Sequence, residues 1–219
     1  MNSSFNVADF ATQLAVLLFA VSFHESAHAW MALQFGDTTA RDLGRISLNP
    51  IRHIDLFGSV ILPIMLYLFS GILFGYAKPT PVRLDRTRNP RLADIAVSSA
   101  GPLSNLLLAM IGLGAIFLLA HIPFGPRLRE SVFAPLLQIA YTFVLVNVNL
   151  GIFNLIPLPP LDGSWVLAAL LGEKTRIFFA QFGRFGFLIL IALSYTGVFG
   201  KIISPVDHAV FSIIQWILS

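Results

Sequence analysis

The sequence predicts an all-α polytopic membrane protein of about five or six membrane segments, with a re-entrant segment and short β-strands at the membrane edge. Of its 219 residues, 56% are hydrophobic and 11% are charged, and the mean hydropathy is +0.80. Successive apolar runs are long enough to cross a bilayer, and little of the chain is left for a soluble domain. We therefore expect residues 1–219 to form a single integral membrane domain.

The composition also excludes several kinds of site and partner. The chain has no cysteine, so disulfides and thiolate metal sites are excluded. Its 14 Lys and Arg exceed its 11 Asp and Glu only modestly. In a membrane protein such an excess bears on topology, so we expect a lipid bilayer and no nucleic acid among the partners. No Lys or Arg precedes the first apolar run, which is therefore not expected to be a cleavable signal peptide.

The first apolar run, Phe10–Phe35, contains the stretch HESAH, in which His24 and His28 are four residues apart and Glu25 follows the first. Residues i and i+4 of a helix share a face, where two imidazoles can bind one Zn²⁺ and the carboxylate reaches the water beside it. An ionisable group at the centre of a spanning helix costs about 2.5–3.5 kcal/mol. A chance match, or histidines hydrogen-bonded inside a bundle, is the alternative, and the membrane location argues against it.

Two polar segments flank the second apolar run, Leu56–Tyr76. Arg45–Leu48 alternates like a short strand. His53 and Asp55, at the edge of the run, either support a site or are ordinary interfacial groups, and we favour the interfacial interpretation. Gly75–Val82 has two prolines within four residues, which favour an extended, edge-like backbone.

The later apolar runs include a break at membrane depth. Leu92–His121 contains small residues that would let a neighbouring helix approach closely. Ser131–Ile156 leads into the stretch PLPPLDG, residues 157–163, whose prolines break the helix. Broken backbone at this depth occurs only where it is buried in protein or lines water. Phe185–Phe199 crosses again, and Pro205–Ser219 is long enough to span only partly.

Two histidines are too few for a catalytic zinc site, which usually has three protein ligands and a water. Most acidic residues lie in loops or at span edges, but Asp162 combines an apolar flank with the broken helix, where a carboxylate can be aimed at a metal. The alternative is that Asp162 caps a short helix, Ser164–Leu171. We favour the ligand role, and we expect a charged loop from there to Arg184.

Taken together, the motifs HESAH, AGPLSN and NLIPLPPLDG resemble those of the site-2 protease family of intramembrane zinc metalloproteases. The family's hallmarks are HExxH and a distant N-x-x-P…D-G, represented here by Asn154, Pro157, Asp162 and Gly163. The resemblance extends to about Leu171. Without a PDZ-like or CBS-like insert, the chain resembles a minimal member of that family.

The resemblance implies one Zn²⁺ per chain, Glu25 as the catalytic acid/base, and Asn154 as a polar group near the scissile carbonyl. Asn105, in the pattern GP-x-x-N, is interpreted as structural. The run Leu56–Tyr76 is additional, since some members keep only a membrane-dipping β-hairpin in that region. The implied zinc ligands are His24, His28 and Asp162.

Peptide hydrolysis within a bilayer needs a water made nucleophilic near neutral pH, which Zn²⁺ provides by lowering the pKa of bound water to about 7. Glu25 would take the proton and pass it to the leaving amine. A membrane-spanning protein or peptide substrate must be unwound, and an edge such as Gly75–Val82 could hold it by β-augmentation. A zinc transporter would need a polar path, but the spans show only scattered amides. A non-catalytic metal-binding membrane protein would not need Glu25.

Basic residues indicate the orientation. Segments 36–55, 76–91 and 172–184 contain three, five and three Lys or Arg, and the remaining loops contain three. The positive-inside rule places these three segments in the cytoplasm. Because the first two flank Leu56–Tyr76, that run should enter and leave on the same side, with a break near Pro63 or Gly71. We therefore expect the site to face the cytoplasmic side of the cell (plasma) membrane, with the metal about 10 Å deep.

Overall fold

The computed structural model describes residues 6–70 and 75–219, and these form α-helices with no β-strand among them. Short 3₁₀ or π-helical turns join several of the helices. The helices are α1 (Val7–Gln34), α2 (Thr39–Asp42), α3 (Leu62–Ser70), α4 (Pro90–Ala120), α5 (Pro126–Leu128), α6 (Ala134–Asn154), α7 (Asp162–Leu171), α8 (Glu173–Tyr195) and α9 (Val198–Leu218).

Three helical stretches of the described chain are long and apolar enough to cross a membrane: Val7–Gln34, Pro90–Ala120 and Pro126–Asn154. They correspond to the first, third and fourth predicted runs. The predicted helical class is thus confirmed and the three apolar stretches fit a membrane protein, whereas the expected count of five or six membrane segments is not confirmed. The break after α6 and the short helix α7 lie where the prolines predicted them.

Helix α4 is central, since α1, α6, α7 and α9 all pack against it. Small residues allow the close approach of α4 and α6 that the sequence predicted. A Cβ on Gly112 would lie 2.7 Å from Val144, and one on Gly151 would lie 3.0 Å from the carbonyl oxygen of Pro102. The buried apolar core between α4, α6 and α9 consists of Ala109, Ile116, Val144, Val148, Val210 and Ile214.

The predicted short strands are not found in the described residues. Residues 45–48 are irregular, and the alternating pattern there reflects a buried Arg45. Segment 75–82 has no regular secondary structure, and it cannot form a regular ladder because Pro79 and Pro81 have no N–H to donate. Its start lies against the beginning of the second apolar run, where the Tyr76 N–H donates to the Gly58 carbonyl at 2.9 Å. Gly71, one of the two expected break points, lies outside the described residues.

The charged loop expected up to Arg184 is wrong. Gly172, at φ +101°, ends α7, and α8 begins at the very next residue. The charged side chains of residues 173–176 therefore lie in the first turns of α8, and their charge marks the start of a helix and not a loop. Helix α9 likewise begins before the predicted Pro205–Ser219 and continues through Pro205.

Candidate metal centre

Three predicted ligand atoms converge at one point. The Nε2 atoms of His24 and His28 are 3.0 Å apart. Oδ2 of Asp162 lies 3.0 Å from the Nε2 of His24 and 3.4 Å from that of His28. Ligands bound to a tetrahedral zinc at 2.0–2.1 Å are separated by about 3.3 Å. The spacing of these three atoms therefore suits a shared zinc ion.

The surrounding hydrogen bonds leave all three atoms as acceptors. Nδ1 of His24 faces the Asn105 Oδ1 at 2.6 Å, and Nδ1 of His28 faces the Val97 carbonyl at 2.7 Å. Since both partners are acceptors, each Nδ1 must carry the ring proton, and each Nε2 presents a lone pair. The buried Asp162 Oδ2 has no hydrogen-bond donor in the described chain. Three buried acceptors facing each other without a proton between them fit a bound cation.

Helix α4 contributes a close wall to this centre. A Cβ placed on Gly101 would lie 2.4 Å from the Nε2 of His28 and 2.6 Å from that of His24. Such distances are not tolerated, so only glycine fits here. The Gly of the AGPLSN stretch thus leaves the space into which the histidine nitrogens point.

The break after α6 places the third ligand. Leu161 occupies the N-cap position of α7 and Asp162 is the first helical residue, so the capping role considered for Asp162 is not observed. A Cβ on Gly163 would lie 2.2 Å from the Leu155 carbonyl oxygen, so this glycine lets the helix start tightly against the chain that leaves α6. At its other end, α7 is fixed by Arg91, whose guanidinium donates to the carbonyls of residues 169 and 170 at 2.9 Å.

Glu25 lies in a cavity of about 610 Å³ whose lining includes two of the ligands. Its Oε2 accepts the Thr80 N–H at 2.8 Å, and its main-chain carbonyl accepts the Thr80 hydroxyl at 3.0 Å. Arg176 also lines the cavity and donates to the buried Asp94 carboxylate. A candidate base and candidate metal ligands thus share one cavity. The cavity is lined by Glu25, His28, Pro79, Thr80, Val82, Arg83, Leu84, Asp85, Asp94, Val97, Ser98, Pro160, Asp162, Trp165 and Arg176.

Asp37, just beyond α1, connects the end of that helix to the segment entering the cavity. Its carboxylate accepts the N–H of Thr39 at 2.9 Å and that of Arg83 at 2.6 Å. Burial alone would raise the pKa of Asp37, but the hydrogen bonds from Thr39 and Arg83 outweigh it and hold the pKa below its ordinary value. The ionised carboxylate therefore stabilises this connection.

Asn154 is not among the residues that line the cavity. It is the last residue of α6, and its Nδ2 donates to the carbonyl of Leu150 at 2.9 Å. His53 is buried, and its Nε2 lies 2.7 Å from the Ser47 carbonyl. Asp55 accepts the Gly58 N–H at 2.7 Å and so caps the next helical stretch. These residues support the surrounding chain and do not bind the three ligands.

Sequence reasoning missed two residues that contact the site. Asn105 was interpreted as structural, yet it orients His24 directly. The GP-x-x-N pattern was the available signal, since a fully buried amide in a spanning helix needs partners. Thr80 had no comparable signal, because its main-chain N–H makes the contact, and any residue except proline would offer one.

Comparison with known proteins decides the family. The profile of peptidase family M50 matches residues 12–132 and 119–195. The chain belongs to peptidase family M50. The resemblance to the site-2 proteases is thereby confirmed.

Several proteins named as zinc metalloproteases resemble the chain over most of its length. It is 37% identical to "Putative zinc metalloprotease YwhC" of Bacillus subtilis, over 88% of this chain and 84% of that protein. It is 31% identical to "Putative zinc metalloprotease Rip2" of Mycolicibacterium smegmatis, over 87% and 69%. "Zinc metalloprotease MJ0392" of Methanocaldococcus jannaschii is 27% identical, over 78% of this chain but 38% of that protein. No solved structure gives a significant match.

Proposed function

We propose that this protein is an intramembrane zinc metalloprotease that hydrolyses peptide bonds of membrane-spanning substrates. The observation that carries the proposal is the convergence of three buried acceptors, from His24, His28 and Asp162, beside Glu25 in an M50 chain. The family match and the names of the relatives support a zinc metalloprotease. We further propose that residues 1–219 act as one membrane domain.

The donor set fits zinc, with two imidazoles and one carboxylate, and it leaves a fourth position open. A Zn²⁺ bound there lowers the pKa of a water to about 7 and polarises the substrate carbonyl. Asn105 and the Val97 carbonyl hold the two imidazoles in the required tautomer.

Glu25 is proposed as the acid/base. It takes a proton from the attacking water and delivers it to the nitrogen of the leaving amine. The Thr80 N–H holds one of its oxygens, leaving the other to exchange the proton. Asn154 is still proposed to act on the scissile carbonyl, through the second hydrogen of an Nδ2 that already donates to the Leu150 carbonyl.

Two features support a substrate that lies within the membrane. The histidine ligands lie inside α1, a helix long and apolar enough to span, and α4 contributes their hydrogen-bond partners.

Segment 75–82 has fewer main-chain groups available to pair with a substrate than its length suggests. The N–H of Thr80 and the carbonyls of Lys78 and Pro79 already have partners in the chain. A substrate strand would therefore pair near Pro81 and Val82, next to the cavity.

The proposed topology has the site facing the cytoplasmic side of the plasma membrane and a re-entrant Leu56–Tyr76. The bond between the Tyr76 N–H and the Gly58 carbonyl supports it, because it joins the two ends of that run. The test is labelling of Arg86→Cys by a membrane-impermeant reagent in intact cells. We expect labelling only after lysis, and labelling without lysis would mean that the run crosses the membrane.

The experiment that tests the activity is co-expression with a panel of single-span membrane proteins, comparing the wild type with Glu25→Gln. We expect Glu25→Gln to retain zinc and lose cleavage, since the ligands remain and the base is gone. Glu130→Gln, on a distant segment, is the matched control and should cleave as the wild type does. Equal cleavage by Glu25→Gln, or zinc flux through the protein in proteoliposomes, would overturn the proposal.

A further inference from the structure

The contact between Thr80 and Glu25 joins two segments that are 55 residues apart in the chain. It consists of two hydrogen bonds, both donated by Thr80. The main-chain N–H binds the carboxylate at 2.8 Å, and the hydroxyl binds the main-chain carbonyl at 3.0 Å. Thr80 therefore fixes both the side chain and the helical backbone of Glu25.

The flanking prolines prepare this contact. Pro79 and Pro81 lock their own φ near −65°, and each restricts the residue before it to extended backbone. Neither proline has an N–H, so Thr80 offers the one main-chain donor of residues 79–81. The direction of that donor is set by the local sequence before any contact forms, which lowers the entropy lost in binding the carboxylate.

Arg45 holds the same segment from the other side. Its Nη2 donates to the Lys78 carbonyl at 2.9 Å and the Pro79 carbonyl at 3.0 Å, and its Nη1 donates to the carbonyl of Arg52. The residue is 6% exposed, and no carboxylate pairs with it in the described part of the chain. A buried cation satisfied only by carbonyls is costly, and here three carbonyls compensate it while fixing the residues just before Thr80.

We propose that Thr80 and Arg45 are positioning residues for Glu25: Arg45 fixes the backbone of 78–79, and this aims the Thr80 N–H at one carboxylate oxygen. The consequence for catalysis rests on the proposed protease function, whereas the contact itself does not. A base free to rotate would spend less time aligned for proton transfer, so loss of either residue lowers turnover and leaves zinc binding intact.

Hydrogen exchange tests the contact without any activity. Prolines leave only the amides of residues 77, 78, 80 and 82 between residues 77 and 82, so the Thr80 amide can be resolved. Glu25→Ala removes the acceptor, and Glu25→Gln retains one. Because a hydrogen bond to a charged group contributes about 1.5–3 kcal/mol, Thr80 should exchange about 10–100 times faster in Glu25→Ala. In Glu25→Gln, the exchange rate of the Thr80 amide should stay within a few-fold of that in the wild type. Equal exchange rates in the wild type and both variants would show that the proposed contact is wrong.

Kinetics tests the consequence. Arg45→Met should lower kcat about tenfold, with KM within twofold and full zinc content. Arg41→Met, an exposed neighbour paired with Asp42, is the matched control and should behave as the wild type. Thr80→Ser keeps both donors and should retain turnover, and Thr80→Pro removes both and should lose it.

The outcomes separate the two proposals. If zinc-loaded Arg45→Met has an unchanged kcat, the positioning role is overturned. An unchanged kcat together with a higher KM would point to a role in substrate binding instead. If the wild type cleaves nothing while the exchange pattern is as expected, the proposed function fails and the contact stands.

Discussion

Replacing Asn105 by Ala should weaken zinc binding although Asn105 does not face the metal. The substitution removes the acceptor of the His24 Nδ1–H at 2.6 Å and the donor to the Asn147 Oδ1 at 2.9 Å. The imidazole then loses the partner that fixes its tautomer and ring orientation. Loss of such a group weakens metal binding about 10–100-fold, equivalent to about 1.4–2.7 kcal/mol. The orphaned buried groups should also lower the free energy of unfolding by about 1–3 kcal/mol each.

Zinc affinity would be measured on purified protein by competition with a chromophoric chelator, and stability by thermal unfolding in the same detergent. Asn149→Ala is the matched control, because it removes a half-buried amide of α6 that donates to the Asp207 carboxylate at 3.0 Å and contacts none of the predicted ligands. Asn105→Asp keeps an acceptor for His24 but loses the donor, so it should retain zinc while losing stability. Zinc affinity of folded Asn105→Ala within twofold of the wild type would refute the reasoning, as would equal zinc loss in the Ala and Asp variants.

Four further predictions follow from the same geometry. Gly101→Ala should lose zinc because the added Cβ would overlap a histidine nitrogen. Gly114→Ala, whose Cβ would meet nothing within 4 Å, is the control and should retain zinc. Equal zinc contents in the two variants would contradict this. Asp162→Ala should fail to retain stoichiometric zinc in metal analysis, and full retention would remove it from the ligands. Asn154→Ala should slow cleavage with zinc unchanged, and an unchanged rate would make it a packing residue. The pKa of Asp37 is lower in the folded protein than in the unfolded chain, so its stabilisation is present above about pH 4 and is lost as the pH falls further. The difference in free energy of unfolding between wild type and Asp37→Asn should therefore become smaller in acid. A difference that does not change with pH would contradict this.

Sequence reasoning was most informative where a local pattern is unfavourable in free energy unless it has a function. Ionisable residues in a spanning helix are expensive, which led to His24 and His28, and broken helix at membrane depth led to Asp162. The structure brings these three together. Their assignment as zinc ligands is still a prediction until metal is measured.

Sequence reasoning was weakest for contacts between segments distant along the chain. The alternation at Arg45–Leu48 predicted a strand, but it arose from one buried arginine that binds carbonyls some 33 residues away. Charge in residues 173–176 predicted a loop, yet it occupies the start of α8. Neither pattern records which partner a side chain finds: Arg45 binds the segment before Thr80, and Arg176 binds Asp94 of α4.

The three predicted metal ligands are split between the first and last thirds of the chain, and Asp162 follows His28 by 134 positions. During synthesis, α1 enters the membrane long before α7 has been translated. A nascent chain holds two imidazoles but no third ligand, so it has only a weak site for zinc and no competent centre. The order of the predicted ligands along the polypeptide means that the complete set exists only after α7 has been synthesised.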